Sequence, residues 1–320
     1  MFALSHKSKQ YLLLALKVLI LTFTFAYIYL KVLHNETINT YGFFEKIFSK
    51  NALLPILGFI LLASFNWFFE ILKWKTIVSE IKSITFLISL KQSLASLTVS
   101  LATPNRIGEY GAKAYFFNKN LRKKVMLYNL FHNTIQMLIT TLLGVFGLIV
   151  LFKKNKFGFA IDHIVLKIII LALIVLGVLI VGFLFRKQQI IIKGLTISKL
   201  FDNLKGLSIG IKLKMILFSF IRYLFFGYLF YQLLLFFGAY INMTEAIPYI
   251  FSMYFLASII PALSIFDVVI KGGVAVWVFS LLGVSENIVL STVFCMWILN
   301  FIIPSIIGAY FLITYKPIRE

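Results

Sequence analysis

Two passages decide how this chain is organised: residues 96–117 read SLTVSLATPNRIGEYGAKAYFF, and residues 255–279 read FLASIIPALSIFDVVIKGGVAVWVF. Each begins as an apolar arm that ends near a proline (Pro104, Pro261) and continues through a short polar turn. Each then has a carboxylate four residues before a lysine, followed by small residues and further apolar sequence. Because proline and charge break both stretches, we predict two helical hairpins that return to the membrane side on which they began.

The two acid–lysine pairs are Glu109 with Lys113 and Asp267 with Lys271. A spacing of four residues puts both side chains on one face of a helix, with the acid in the favoured N-terminal position. Charged groups within a bilayer are costly, so they are usually paired or functional. Two interpretations stay open: each pair neutralises itself so that a short helix can lie in the membrane, or both pairs help to bind an anionic ligand.

Arg106 favours the second interpretation. It lies just after the proline of the first passage, at the predicted start of a short helix, where free backbone N–H groups attract anions. A guanidinium group can also bind phosphate through two hydrogen bonds. Lys113 and Lys271 are predicted to neutralise the same phosphate group. The acids Glu109 and Asp267 would orient these cations or take up a proton.

The composition of the whole chain indicates a membrane protein. Of its 320 residues, 61% are hydrophobic and 13% are charged, whereas an average soluble domain has roughly 45–50% apolar and about 25% charged residues. So few polar side chains cannot cover a soluble globule. This composition excludes an ordinary cytosolic enzyme and a disordered chain. A secreted disulfide scaffold is excluded as well, because Cys295 is the one cysteine.

Six apolar segments are long enough to cross a hydrocarbon core of about 30 Å as helices. They lie at about 11–33, 52–73, 125–152, 163–185, 213–238 and 288–315. The first is too long for a signal peptide, so we predict an uncleaved N-terminal anchor helix within residues 1–33. The predicted fold is an all-α, polytopic integral membrane protein with about six spanning helices and two re-entrant helical hairpins, forming a single transmembrane domain over 1–320.

The net charge of +20 is carried mostly by lysines in short loops beside the apolar segments. With the N-terminus inside and each hairpin returning to its own side, most basic residues become cytoplasmic, as the positive-inside rule requires. This arrangement, which counts Lys73 in an inside loop, makes both termini cytoplasmic in a plasma (inner) membrane protein. It also inverts repeat 1 (about 52–152) relative to repeat 2 (about 213–315), a common plan of secondary transporters. Anionic headgroups account for the basic charge, so no nucleic-acid partner is expected.

Further polar residues lie within the predicted spanning helices. One stripe, for which helix–helix hydrogen bonding and cavity lining both stay open, consists of Asn129, His132, Asn133 and Gln136. His132 would be a candidate proton relay, but the sequence shows no partner for it. A second face carries Asn66, Glu70 and Lys73. Arg222 either extends to the inner surface or lines a cavity.

The stretch Pro104-Asn105-Arg106-Ile107-Gly108-Glu109, with Lys113 after it, resembles the proline–x–arginine–x–glycine–glutamate signature of the lysylphosphatidylglycerol synthase transmembrane-region family. The second passage, Pro261 to Gly273, is similar to that family's second hairpin, with Asp267 and Lys271 where glutamate and arginine are more usual. The resemblance covers about residues 10–315. It implies a flippase-like protein that moves lipids or lipid-linked molecules between leaflets. The soluble aminoacyltransferase domain of the namesake has no counterpart here, so synthesis of lysyl-phosphatidylglycerol is not expected.

The expected function is flippase-like translocation of an anionic phospholipid or a polyprenyl-phosphate-linked lipid. No metal-ligand spacing, nucleophile motif or phosphate-binding loop is present, so no catalytic residue, metal or cofactor is predicted and the chain is not expected to be an enzyme. The alternatives are a membrane-embedded enzyme acting on lipid-linked phosphates and a non-transporting accessory subunit. The predicted substrate-binding residues are Arg106, Glu109, Lys113, Asn133, Arg222, Asp267 and Lys271. Structural roles in the hairpins are predicted for Pro104, Gly108, Pro261, Gly272 and Gly273.

Overall fold

The structure is a computed structural model that describes residues 40–101, 103, 106–154, 206–260 and 267–314. Within these ranges all regular secondary structure is helical. The predicted spans at about 11–33 and 163–185 lie outside the described residues, as do Pro104 and Pro261.

Helices follow one another along the described chain, with one π-helical segment near its end. They are α1 (Thr40–Ile47), α2 (Leu53–Val78), α3 (Phe86–Leu101), α4 (Gly108–Tyr115), α5 (Arg122–Lys154), α6 (Ile209–Phe236), α7 (Met243–Ile259), α8 (Asp267–Ser280), α9 (Glu286–Trp297), the π segment (Ile298–Ile302) and α10 (Ile303–Thr314).

Four stretches of the described chain are long and apolar enough to cross a membrane: α2, α5, α6 and the continuous run Glu286–Thr314, which joins α9 to α10. They correspond to the segments predicted at about 52–73, 125–152, 213–238 and 288–315. The prediction of an all-α integral membrane protein is therefore confirmed for the described residues.

The end of α2 differs from the prediction. The helix continues to Val78, and Lys73, which the loop count placed outside the helix, is fully buried within it. The loop assignment was wrong because the apolar run ends before the helix does. A buried carboxylate one turn earlier, at Glu70, pairs with the lysine and stabilises it inside the helix.

Between the long helices lie two pairs of shorter ones. In the first pair, α3 and α4 have 16 and 8 residues, which at 1.5 Å per residue is about 24 and 12 Å. In the second pair, α7 and α8 have 17 and 14 residues, or about 26 and 21 Å. Each is shorter than a hydrocarbon core of about 30 Å, and the two members of each pair pack against each other.

The two halves of the described chain pack in the same pattern. Helix α2 packs along α6, α3 packs along α10, and α7 packs along α5. Helix α4 contacts α5 in the first half, as α8 contacts α9 in the second. The pattern is preserved when α2 is exchanged with α6, α3 with α7, α4 with α8, and α5 with the run from α9 to α10. Each short pair is therefore held by the long helix of the other half.

Glycines allow the close approach of the helices across the two halves. A Cβ at Gly147 of α5 would collide with the Pro248 carbonyl of α7, and one at Gly308 of α10 would collide with the Leu94 carbonyl of α3. Small residues are the usual means of close helix packing in membranes, where no hydrophobic effect drives helices together. These contacts hold both short pairs against the site described next.

Candidate functional site

The tip between α3 and α4 has an unusual backbone. Arg106 has a φ of 58°, in the left-handed region that few non-glycine residues occupy. The N–H of Gly108 donates a hydrogen bond of 2.8 Å to Thr103 Oγ1. A Cβ at Gly108 would lie 2.8 Å from the Val99 carbonyl oxygen, so only glycine fits there. Strain of this kind persists where the surroundings hold it, and it is concentrated at binding sites.

Glu109 and Lys113 form the ion pair expected from their spacing. Lys113 Nζ lies 2.8 Å from Glu109 Oε1, and both side chains are buried. Lys113 also donates a hydrogen bond of 2.8 Å to Asn129 Oδ1 on α5 and lies 4.3 Å from the ring centroid of Trp74 on α2. The pair thus fixes α4 to two long helices.

One cation from each short pair faces the same aromatic ring. The guanidinium carbon of Arg106 lies 5.8 Å from the ring centroid of Phe301, and Lys271 Nζ lies 5.2 Å from it. Arg106 is also 3.6 Å from Glu109 and keeps 43% of its side chain exposed. Cations at these distances from an aromatic face are attracted by its quadrupole. The two predicted phosphate ligands Arg106 and Lys271 are therefore brought together.

The second acid–lysine pair is described only in part. Helix α8 begins at Asp267 and carries Lys271 one turn later, while the side chain of Asp267 lies outside the described part. A Cβ at Gly272 would lie 3.3 Å from Leu290 on α9, whereas one at Gly273 would meet open space. Of these two glycines, only Gly272 lies at a close helix contact.

Glu70 is the centre of a buried charge cluster that the sequence analysis did not include among the binding residues. Its Oε2 lies 3.3 Å from Lys73 Nζ on the same helix and 3.0 Å from the guanidinium group of Arg222 on α6. Its Oε1 lies 3.5 Å from His132 Nε2 on α5. His132 therefore has the partner that the sequence could not show. A carboxylate in the middle of a spanning segment was the available signal, because such groups mark functional sites in membranes.

Hydrogen bonds extend this cluster to the other half of the protein. Arg222 donates to Asn66 Oδ1 at 3.2 Å and to Gln136 Oε1 at 3.3 Å. Asn66 in turn donates to Asn300 Oδ1 in the π segment at 2.8 Å. Lys73 shares the Gln136 oxygen at 3.2 Å. Charged and amide groups from α2, α5, α6 and the π segment thus form one connected network.

The polar stripe of α5 makes helix contacts along its length. Asn129 binds Lys113, His132 faces Glu70, Asn133 donates to the Tyr110 hydroxyl at 3.3 Å, and Gln136 binds Arg222 and Lys73. Gln136 also lines the central cavity. The two interpretations of the stripe therefore both hold, for different members.

Ligand atoms of Glu70, Glu109 and His132 lie within 4.8 Å of one another, a spacing that could hold a metal ion. The sequence did not reveal this group because its members lie on three helices. The same carboxylates, however, contact ammonium and guanidinium groups at 2.8 to 3.3 Å. A metal cation would have to displace these positive charges, so the donor set fits internal ion pairs better than a metal.

A cavity of about 510 Å³ lies beside the network. Its basic lining residues come from three elements: Arg106 at the first tip, Arg222 on α6 and Lys271 on α8. No acidic side chain of the described residues lines it. The lining tyrosines Tyr223 and Tyr254 have hydroxyl groups that are buried and make no hydrogen bond within the described structure. The described lining residues therefore give the cavity a positive charge.

The structure separates the predicted binding residues into two groups. Arg106, Arg222 and Lys271 line the cavity, so Arg222 is a cavity residue and pairs inward with Glu70. Glu109, Lys113 and Asn133 lie outside its lining and contact neighbouring protein groups. Among the described residues, these three cations are the charged groups that line the cavity, and the second group supports the helix that carries the first tip.

The model of one protein family, described as the lysylphosphatidylglycerol synthase transmembrane region, matches residues 14–308. Comparisons with curated proteins and with solved structures give no match. The match includes both passages that were quoted first, three of the four long apolar stretches with most of the fourth, and the residues that line the cavity. It indicates a membrane protein of lipid metabolism or lipid translocation. The chain belongs to the lysylphosphatidylglycerol synthase transmembrane-region family.

Proposed function

We propose that this protein moves an anionic phospholipid or a polyprenyl-phosphate-linked lipid from one leaflet to the other. The observation that carries the proposal is the cavity with three basic side chains and no acidic side chain among its described lining residues. A phosphate group would replace water around these cations with charge-assisted hydrogen bonds.

Transport accounts for the cavity better than catalysis does. Among the residues that the structure describes, the imidazole and the buried carboxylates that could act as acid or base belong to His132, Glu70 and Glu109. These side chains contact one another or protein cations and do not line the cavity. A general base must come within hydrogen-bond reach of its substrate. We therefore propose that the protein is not an enzyme and that Glu70 and Glu109 hold the cations in position.

The proposed architecture has six spanning helices, two re-entrant hairpins and two inverted repeats. It is supported by helices α3, α4, α7 and α8, each too short to cross the bilayer alone, and by the packing pattern that the two halves share. In the proposed orientation the hairpins enter from opposite sides, both termini are cytoplasmic, and the protein lies in the plasma (inner) membrane. Repeats of this kind can rock against each other and expose a central site alternately.

Arg106 and Lys271 would transmit this motion to the ligand. One lies at the tip of the first hairpin and the other on the second, and both face Phe301. A phosphate between them would contact both hairpins at once. Movement of one repeat relative to the other would then change which hairpin contributes the closer cation.

The test is leaflet exchange of a fluorescent anionic phospholipid in proteoliposomes. Arg106→Gln and Lys271→Gln should each slow exchange about tenfold or more, because each removes a charge-assisted hydrogen bond of roughly 1.5–3 kcal/mol. The matched control is Lys91→Gln, which removes an exposed lysine on α3 that does not line the cavity.

The proposed orientation has a test of its own. The substitution Asn118→Cys is made in a Cys295→Ala background, and labelling by an impermeant reagent from each side of the membrane in turn shows on which side residue 118 lies.

Each alternative has a distinct outcome. Exchange that is normal in both cavity variants would contradict the phosphate site. A change in the mass of the lipid would identify an enzyme acting on lipid-linked phosphates. A wild-type protein that leaves every tested lipid in place and unchanged would be the result expected of an accessory subunit.

A further inference from the structure

A second cavity, of about 310 Å³, lies next to the charged one. It is a groove between α2, α3 and the start of α10, and apolar side chains line almost all of it. Its rim is open to the outside of the protein, since Ile60, Phe68 and Ile307 are 45%, 41% and 44% exposed. These residues lie on stretches that are long and apolar enough to cross a membrane, so we expect the groove to open towards the hydrocarbon of the bilayer.

Trp67 lines both cavities and forms the partition between them. Its indole N–H donates a hydrogen bond of 3.2 Å to the backbone carbonyl of Asn300. Asn300 lines the charged cavity, while Trp67 lines the apolar groove as well. A tryptophan of this kind has an apolar body and one polar group, which suits a boundary between hydrocarbon and charge.

The carbonyl that accepts from Trp67 lacks its usual α-helical donor for a local reason. In a regular α-helix it would accept from the N–H four residues later, but that residue is Pro304, which has no N–H. The backbone here is π-helical, with the N–H of Ile303 bonded to the Ile298 carbonyl. Such π segments occur frequently at functional sites. The break in the helix thus coincides with the partition between the two cavities.

We infer that the groove takes one hydrocarbon chain of the same lipid molecule whose phosphate enters the charged cavity, with Trp67 lying between chain and headgroup. The inference rests on the proposed function and specifies its ligand as a lipid with phosphate and chain in adjoining sites. An amphipathic molecule matches the pair of cavities, because one is lined by cations and the next by apolar side chains that open to the bilayer. A soluble phosphate compound would leave the groove without a role.

The experiment uses two photoreactive phospholipids that carry a diazirine in one acyl chain, one with a phosphatidylglycerol headgroup and one with phosphatidylcholine. Each is incorporated into proteoliposomes, and crosslinked peptides are located by mass spectrometry. The anionic lipid should label the groove residues Leu90, Ile303 and Ile307 about tenfold more than phosphatidylcholine does, the factor that one charge-assisted hydrogen bond to its phosphate provides. Arg106→Gln should remove this excess, since it acts on the headgroup alone.

A matched pair of substitutions tests the groove itself. Ile60→Trp fills it, whereas Leu61→Trp adds the same side chain at the neighbouring position, which is 57% exposed and does not line the groove. Labelling by the anionic lipid should fall severalfold in Ile60→Trp only. Both positions are exposed, so neither substitution disturbs buried packing.

The result that would overturn the inference is equal labelling by both lipids, unchanged in Arg106→Gln, because the groove would then hold any bilayer lipid. Labelling of the anionic lipid outside the groove would overturn it as well. Either result leaves the leaflet-exchange assay to judge the proposed function separately. Conversely, headgroup-dependent labelling without leaflet exchange would uphold the two-part site and reject transport.

Discussion

Glu70 and Glu109, the two carboxylates that are buried in the described part of the chain, are paired in different ways. Glu109 has its main partner, Lys113, one turn further along the same short helix at 2.8 Å. Glu70 has one partner nearby, Lys73 at 3.3 Å, but its closest cation is Arg222, from a helix in the other half of the chain, at 3.0 Å. Both carboxylates lie next to the same cavity without lining it.

The difference shows which contacts of the site form within a single helix and which require several helices to be packed together. The Glu109 pair is complete as soon as α4 is helical, and α4 then docks through it onto α2 and α5. The contacts of Glu70 with His132 and Arg222 exist only when α2, α5 and α6 are all in place. We therefore expect the loss of Glu70 to affect the whole fold and the loss of Glu109 to affect mainly the first hairpin.

The largest effect is expected for Glu70→Gln. It leaves the buried Lys73 and the partly buried Arg222 without their shared carboxylate, and breaking a buried pair in this way costs about 3–5 kcal/mol. The free energy of unfolding, measured by denaturant titration in mixed micelles, should fall by that amount. Leaflet exchange should be lost, because Arg222 would no longer be held towards the cavity.

The control for Glu70→Gln is Glu245→Gln. Glu245 forms an ion pair of 3.0 Å with Lys154, but both side chains are nearly half exposed. Solvent-exposed pairs contribute little to stability, so this variant should unfold like the wild type. If both variants had the same unfolding free energy, the Glu70 cluster would have no special role in assembly.

A smaller effect is expected for Glu109→Gln, about 1.5–3 kcal/mol of unfolding free energy, because the amide oxygen can still accept a hydrogen bond from Lys113. Lys113 also keeps its bond to Asn129 and its contact with Trp74. Exchange should slow, since Arg106 loses its neighbouring carboxylate, yet the protein should remain folded. A loss of stability as large as that of Glu70→Gln would erase the distinction between the two carboxylates. Thermal melting of both variants in the same detergent decides.

The smallest effect concerns the start of α4. Gly108→Ala forces a Cβ against Thr103 and the Val99 carbonyl, and overpacking of this kind costs at least about 1 kcal/mol. The same substitution at Gly111, one turn later on the exposed side of α4, meets no atom within 4 Å and should stabilise the helix by about 0.5–1 kcal/mol. Melting temperatures should therefore move in opposite directions. A shift in the same direction would mean that the tip does not depend on close packing at Gly108.

Much of the fold could be predicted from the sequence because the bilayer imposes simple requirements. Runs of about 20 apolar residues indicated the four long stretches that the structure describes. The prolines and charges of the two quoted passages indicated short helices between them. The boundary at Lys73 was missed, since hydropathy does not reveal that a lysine can stay in a helix when a carboxylate such as Glu70 neutralises it.

The sequence by itself determined the class of the protein, its family and the Glu109–Lys113 pair, because composition, apolar length and a spacing of four residues depend only on near neighbours in the chain. The tertiary structure alone decided that Arg222 joins Glu70, that Arg106 and Lys271 face one ring, and that Trp67 separates a charged cavity from an apolar groove. These contacts join residues on helices that are distant in sequence. Their formation depends on how glycine-lined helix faces pack together, which no local pattern specifies.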